Sequence, residues 1–154
     1  MIFESDRIIY VKPSEKYMED YIKMYTDRDI QKSLFKNEYH DNAIIGWIKK
    51  LIKENNYTFS MIDKNTKEFI GNIEIIKKDD VAEIMISITP SKQGRHYATE
   101  AIKSIIEYGR KELEISNYDL NVYKNNEKAI HIYEKVGFTQ DNKNISEDSI
   151  HMIL

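Results

Sequence analysis

The densest run of chemically able residues is Gln93-Gly94-Arg95-His96-Tyr97-Ala98-Thr99-Glu100-Ala101, set between an apolar strand pattern and a long helical one. A helix that begins here leaves its first backbone N–H groups without intrahelical acceptors, and such groups converge well on an anion. Gly94 lets the backbone approach closely and Arg95 adds charge from the side. The small Ala98 keeps the helix mouth open to a diphosphate. The same residues also make a plain polar loop capping a helix, so both readings stand at this point. A nucleotide-binding loop is disfavoured: the Gly-Lys-Ser/Thr ending and the spaced glycines are missing.

Glu83 is the second feature. It lies between Val81 and Met85 on one side of a strand whose other side is Ala82, Ile84, Ile86 and Ile88. A carboxylate there belongs in solvent or in a pocket, because an unpaired charge is not tolerated in a core. His40, His131 and His151 lack a suitably spaced second ligand set, and no cysteine is present. No metal site and no thiol nucleophile are therefore expected.

The elements that must hold these groups follow from periodicity. Ile8 to Val11 reads as a strand stopped by Pro13, with Ser14 expected to cap a helix through about Met24. Asp29 to Phe35 adds a short helical piece. Asp41 or Asn42 opens a stronger helix with Ile44, Trp47, Ile48, Leu51 and Ile52 inward, ended by Asn55 and Asn56. Three meandering strands follow: Tyr57 to Ile62, Phe69 to Ile76 and Val81 to Ile88. A long helix starts near Tyr97 or Ala98, with Ala98, Ala101, Ile102, Ile105, Ile106, Gly109 and Leu113 as its buried stripe. Tyr118 to Val122 alternates as a strand. Asn126 caps a helix with Ala129, Ile130, Tyr133 and Val136 inward, and Gly137 ends it in a left-handed turn. Phe138 starts a strand, Asp141 to Asp148 reads as a polar loop, and Ser149 to Leu154 is the last strand. The expected class is α/β (mixed α+β), one domain over 1–154, with helices on both faces of a mixed sheet.

Composition narrows the classes further. Of the 154 residues 41% are apolar, and no run is long enough for a membrane span. The amino terminus carries Glu4, Asp6 and Arg7 where a signal peptide needs apolar residues, so a cytoplasmic setting is expected. Lys and Arg number 23 against 26 Asp and Glu, a net charge of -3 without the basic excess of a nucleic-acid surface. Neither nucleic acid nor membrane is an expected partner; a homodimer is compatible with the pattern.

Gln93 to Ala101 resembles motif A of the GCN5-related N-acetyltransferase (GNAT) family, in the branch that acetylates ribosomal protein amino termini, polyamines and similar amines. Gln93 and Ala98 match the outer positions of its Gln/Arg-x-x-Gly-x-Gly/Ala pattern, while His96 stands where glycine is usual. Asn121 to Phe138 resembles motif B, with Asn126, Ala129, Tyr133, Gly137 and Phe138 on its characteristic positions. The resemblance covers about residues 69 to 140. It implies a splayed sheet opening between Val81–Ile88 and Tyr118–Tyr123, with acetyl-CoA as cofactor. Pantetheine would pair with backbone around Ile86, Ser87 and Ile88, and the diphosphate would rest on Gln93, Gly94, Arg95, His96, Tyr97, Ala98 and Thr99. A helical backbone at His96 would let its side chain project outward.

The resemblance further implies direct attack by a neutral amine on the thioester, the acceptor being a small-molecule or protein amine. Neutralising a primary alkylamine of pKa about 10.4 at pH 7 costs about 4–5 kcal/mol. Glu83 is the candidate for that deprotonation through water, or for attracting the cation. Tyr133 is the candidate acid for the departing thiolate, and Asn126 bonds the helix start and the cofactor. Tyr25, Phe35 and Tyr39 are candidate lining residues of the acceptor pocket, whereas Trp47 is expected to pack. The competing reading is an acyl-CoA-binding regulatory module with weak catalysis.

Overall fold

The computed structural model describes residues 2–35, 38–54 and 56–154. Strands β1 (Phe3–Glu4) and β2 (Ile8–Val11) come first, then helices α1 (Met18–Tyr25), α2 (Arg28–Leu34) and α3 (Asp41–Lys53). Strands β3 (Tyr57–Asp63), β4 (Phe69–Lys77) and β5 (Ala82–Ile88) form the meander. Helix α4 (Tyr97–Glu112), strand β6 (Tyr118–Tyr123), helix α5 (Glu127–Val136) and strands β7 (Thr139–Ile145) and β8 (Ser149–Ile153) complete the order. All eight strands lie in one sheet, in the order β1-β2-β3-β4-β5-β6-β8-β7.

Two apolar clusters sandwich that sheet. Ala101, Ile102, Ile105 and Ile106 of α4 pack with Ile73, Ile75, Ile84, Leu120 and Val122, and α5 adds Ala129, Ile130, Tyr133 and Val136 at the margin. On the other face Tyr21, Met24, Ile44 and Ile48 from α1 and α3 meet Ile62 and Phe69. The mixed α/β architecture is therefore as expected. Gly109 matters here, because a Cβ at that position would collide with the Tyr118 ring and hydroxyl. Its absence lets α4 lie close over β6, where the Tyr118 hydroxyl donates to the Ile115 carbonyl at 2.9 Å.

Local chemistry departs from the expected pattern at several points. Ser14 does not cap a helix with its side chain; Glu15–Tyr17 is a 3₁₀ turn leading into α1, and the Ser14 N–H donates to the Tyr21 hydroxyl instead. Asp27 is the working cap of the region, accepting from the Ile30 N–H at 3.1 Å. At the α4 start Tyr97 is buried and Ala98 only half-buried, one position off the expected stripe. The expected polar loop after Phe138 is largely strand: β7 runs to Ile145 and pairs with β8 at Thr139, Gln140 and Ile145. It is an edge strand, so its solvated side chains carry no apolar alternation to betray it. Lys53 ends α3; Asn55, expected to share that role, lies outside the described residues. Among the described residues no helix is long and apolar enough to cross a membrane.

Candidate active site

Strand β5 makes seven antiparallel pairs with β4 but only two parallel pairs with β6, Ala82 with Tyr118 and Glu83 with Asp119. Beyond Glu83 the two strands part. The Ala82 N–H reaches across to the Asn117 carbonyl. By strand alternation the backbone groups of Ile84, Ile86 and Ile88 also address the opening, while those of Ser87 face β4. Of the three expected positions, Ile86 and Ile88 turn their backbone groups to the opening, and Ser87 is buried. Gly71 explains how closely it packs, since a Cβ there would strike the Ser87 carbonyl oxygen. The Ile88 carbonyl accepts from Gln93 Nε2 at 2.9 Å, which fastens the loop ahead of α4 to the end of β5.

That loop is held from both sides. Arg7 Nη1 donates to the Arg95 carbonyl at 3.0 Å, and the Arg7 guanidinium lies 4.3 Å from the Tyr97 ring centroid. Glu100 accepts from Ser5 Oγ, the Arg7 N–H and Arg7 Nε at 2.6, 2.9 and 2.8 Å. Burial alone would raise the Glu100 pKa, but these bonds outweigh it and hold the carboxyl below its usual value. The Tyr97 hydroxyl donates to Asp63 Oδ2 at 2.7 Å. Tyr97 therefore faces inward, and only its backbone N–H is presented at the helix mouth beside those of Ala98 and Thr99. The Ser5, Arg7 and Asp63 anchors carry no sequence signal near the motif, being distant in the chain.

His96 overturns the helical expectation. Its φ of 64° and ψ of 17° are left-handed, as is Gly94 with φ 74°. The usual glycine at this position has a physical reason after all: an L-residue there is strained, although His tolerates the region better than most. Gly94 and Arg95 are exposed, as is the His96 side chain.

The opening itself is a cleft of about 180 Å³ lined by Glu83, Ile84, Met85 and Ile86 from β5, Asn121, Val122 and Tyr123 from β6, Tyr133 from α5, Ser149 from β8, and Ser33 and Leu34 from α2. The two candidate catalytic side chains, 50 residues apart in sequence, meet the same space. Burial pushes the Tyr133 phenol up to about 12. Its ring rests edge-on to the buried Phe138, centroids 6.4 Å apart, behind the left-handed Gly137 turn with φ 119°. Asn126 Oδ1 accepts from the Ala129 N–H at 3.3 Å, the expected helix cap. Glu83 is held by Asn121 Nδ2 at 3.2 Å and by Lys78 Nζ at 3.0 Å.

Of the aromatic candidates, Tyr25 is buried with its hydroxyl accepting from Asn72 Nδ2 at 2.8 Å, so it braces the wall rather than lining it. Phe35 and Tyr39 stack edge-to-face with centroids 5.4 Å apart, outside the cleft lining. Trp47 packs against Tyr25 and Phe35, while remaining at the surface. Ser33 and Leu34, which do line the cleft, are ordinary helix residues that no motif singles out. His151 bridges Asp119 at 2.7 Å and Asp141 at 3.0 Å. Burial opposes protonation of His151, but the two carboxylates outweigh it and raise its pKa.

An acetyltransferase (GNAT) domain model matches residues 7–139. A spermidine N(1)-acetyltransferase of Escherichia coli K12 is 40% identical over 83 residues, covering 52% of this chain and 45% of that protein. The chain thus spans about half the length of this relative. A GNAT acetyltransferase structure from Bacillus anthracis superimposes with TM-score 0.85 at 19% identity, covering 98% and 96% of the two chains. The Vibrio cholerae spermidine N-acetyltransferase in complex with CoA and spermine superimposes with TM-score 0.79 at 22% identity, over 96% and 95%. With a family model spanning most of its length and a sheet that parts where motifs A and B meet, the chain belongs to the GNAT acetyltransferase family.

Proposed function

We propose that the protein transfers the acetyl group of acetyl-CoA to a primary amine in a ternary complex, with a polyamine as the acceptor. The observation that carries this reading is the cleft between β5 and β6, which gathers Glu83, Tyr133 and the free edge of β5 around one space. The donor's pantetheine arm lies along Ile86 and Ile88, exchanging amide hydrogen bonds as an added strand would. Its diphosphate sits on the first-turn N–H groups of α4 and the Gly94–Ala98 loop, where Arg95 and His96 are at hand. These groups fit such a donor: the loop is clamped by Arg7 and Gln93, and its exposed side chains leave the amides accessible.

Chemistry then needs three events. The amine loses its proton to water held by Glu83, or meets that carboxylate as a cation first. Its lone pair attacks the thioester carbon, forming the C–N bond. The tetrahedral species gives its remaining ammonium proton to the same water and breaks its C–S bond; coenzyme A leaves as a thiolate that accepts a hydrogen bond from the Tyr133 phenol and takes its proton from solvent. A polyamine suits the reading because Glu83, Asp119 and Asp141 share this face, and because the Escherichia coli and Vibrio cholerae relatives are named for spermidine. Cytoplasmic placement belongs to the same reading.

Release of free coenzyme A should be followed with spermidine, an aminoglycoside, an amino sugar and a peptide amine as acceptors. Turnover highest with spermidine is expected. Tight acetyl-CoA binding without turnover on any of them would instead establish the regulatory-module reading.

A further inference from the structure

Neither oxygen of Glu83 is free. Asn121 Nδ2 donates to Oε2 at 3.2 Å, and the Lys78 ammonium lies 3.0 Å from Oε1. The same Nζ is 4.0 Å from Asp119 Oδ2. Asp119 is 5% exposed, and its other oxygen is buried without a hydrogen-bond partner. Two carboxylates on adjacent strands therefore share one alkylammonium, and His151 Nε2 bonds the same Asp119 oxygen at 2.7 Å.

The partners differ in how firmly they are held. Asn121 sits within β6, its backbone paired with β8. Lys78 is on the turn joining β4 to β5, anchored only through its N–H to the Val81 carbonyl, and its side chain is 43% exposed. A lysine stem of four carbons swings into water without disturbing packing. The group it carries is chemically the same as a protonated primary amine.

We infer that Lys78 is a tethered stand-in for a cationic acceptor, occupying the Glu83–Asp119 carboxylate pair until an acceptor ammonium displaces it. The inference rests on Glu83 facing the acceptor, as proposed above. It yields a selection rule. The attacking nitrogen must be neutral, so a monoamine has no charge left with which to replace Lys78. A polyamine keeps a second ammonium for the carboxylates while its neutral end attacks. Lys78 thus competes only with an acceptor that keeps a second positive charge, and weakens the binding of that acceptor.

The test compares wild type, Lys78→Gln, Lys78→Arg and Glu83→Gln by calorimetric titration of spermidine into the coenzyme A-loaded protein, and by KM and kcat for spermidine and n-butylamine. Lys78→Gln should tighten spermidine binding about twofold to fivefold, the range an exposed ion pair supports, and leave kcat nearly unchanged. Lys78→Arg should behave as wild type, and the gain should fade at about 0.5 M salt. Selectivity for spermidine over n-butylamine should widen by the same factor in Lys78→Gln, because the neutral monoamine never competes for the carboxylate pair. Unchanged or weaker spermidine binding in Lys78→Gln overturns the inference. Glu83→Gln separates the two levels: weakened binding there with no gain in Lys78→Gln sinks the stand-in alone, whereas unaltered binding in Glu83→Gln sinks the acceptor-facing reading beneath it.

Discussion

Replacing Tyr133 by Phe tests what the phenol contributes, and the structure limits how it does so. Burial holds the Tyr133 pKa at about 12, and no hydrogen bond among the described residues offsets it. A free thiol of the cysteine kind has a pKa of about 8.5, so full proton transfer from this phenol to a solvated thiolate is uphill by about 5 kcal/mol. Hydrogen bonding to the sulfur as its charge develops faces no such cost, and removing one donor of that kind lowers kcat about 10²–10³-fold. Tyr133→Phe should therefore cut kcat by about two orders of magnitude while the KM for acetyl-CoA and the melting temperature hold. The phenol stays protonated throughout the workable range, so the wild-type kcat profile should rise with pH as the amine deprotonates, with no falling limb. Rapid-mix assays of coenzyme A release from pH 6 to about 10 would read both features. A falling limb near pH 9 that vanishes in Tyr133→Phe would show a phenol ionising well below 12, and the donor argument would be wrong. An undiminished kcat in the variant would remove Tyr133 from the chemistry altogether.

Other perturbations act on the scaffold. Gly71→Ala forces a methyl against the Ser87 carbonyl, so stability should drop by about 1–3 kcal/mol, with a higher KM for acetyl-CoA because Ile88 moves with it. A melting temperature equal to wild type would contradict that packing. His96→Gly relieves a left-handed residue at φ 64° but loosens the unfolded chain, a net gain of up to about 1 kcal/mol or about 2–4 °C; a lower melting temperature would refute the strain. Asp63 has its pKa lowered from 3.8 to about 2, chiefly by the Thr66 N–H and then by the Tyr97 hydroxyl. Its folded pKa is the depressed one, so its contribution is fully present above pH 3.8 and is lost as pH falls toward 2. The buried carboxyl, moved from 3.8 to about 2, contributes about 2 kcal/mol, so Asp63→Asn should weaken urea resistance at pH 7, the difference shrinking below pH 4. A constant difference down to pH 3 would assign the effect to geometry instead of charge.

Where period and chemistry agree, the chain announces its own structure. Ile44 and Ile48 in α3, Ile102, Ile105 and Ile106 in α4, and the Ala82-Ile84 row of β5 are buried as their spacing requires. Gly137 takes its left-handed turn and Asn126 its cap. Elements with little apolar content are silent: β7 is a run of Asp, Asn and Lys whose strand state depends on β8, and Ser14 loses its capping role to a backbone bond with Tyr21. His96 is the subtler case. Its departure from the family glycine is visible in the sequence, but its left-handed backbone lies between an Arg95 carbonyl held by Arg7 and a Tyr97 hydroxyl held by Asp63, partners that only tertiary structure brings there.

The candidate site was legible as residue types and illegible as bonding. Glu83 and Tyr133 are named by strand parity and motif, yet nothing in either pattern reveals that Lys78 occupies one oxygen of Glu83 and Asn121 the other. The cleft has a further property that only folding creates. A folded chain pairs nearly all its buried polar groups. Here the Ile84 and Ile86 backbone groups on the β6-facing edge of β5, the phenol of Tyr133 and the first-turn amides of α4 lack protein partners among the described residues. Each alone is an ordinary loose end. The strand edge and the phenol meet at one opening, while the α4 mouth lies past the end of β5, tied to it by the Gln93 bond to the Ile88 carbonyl. That arrangement follows from two strands diverging after two pairs of residues, and strand divergence is a tertiary event that no local sequence pattern encodes.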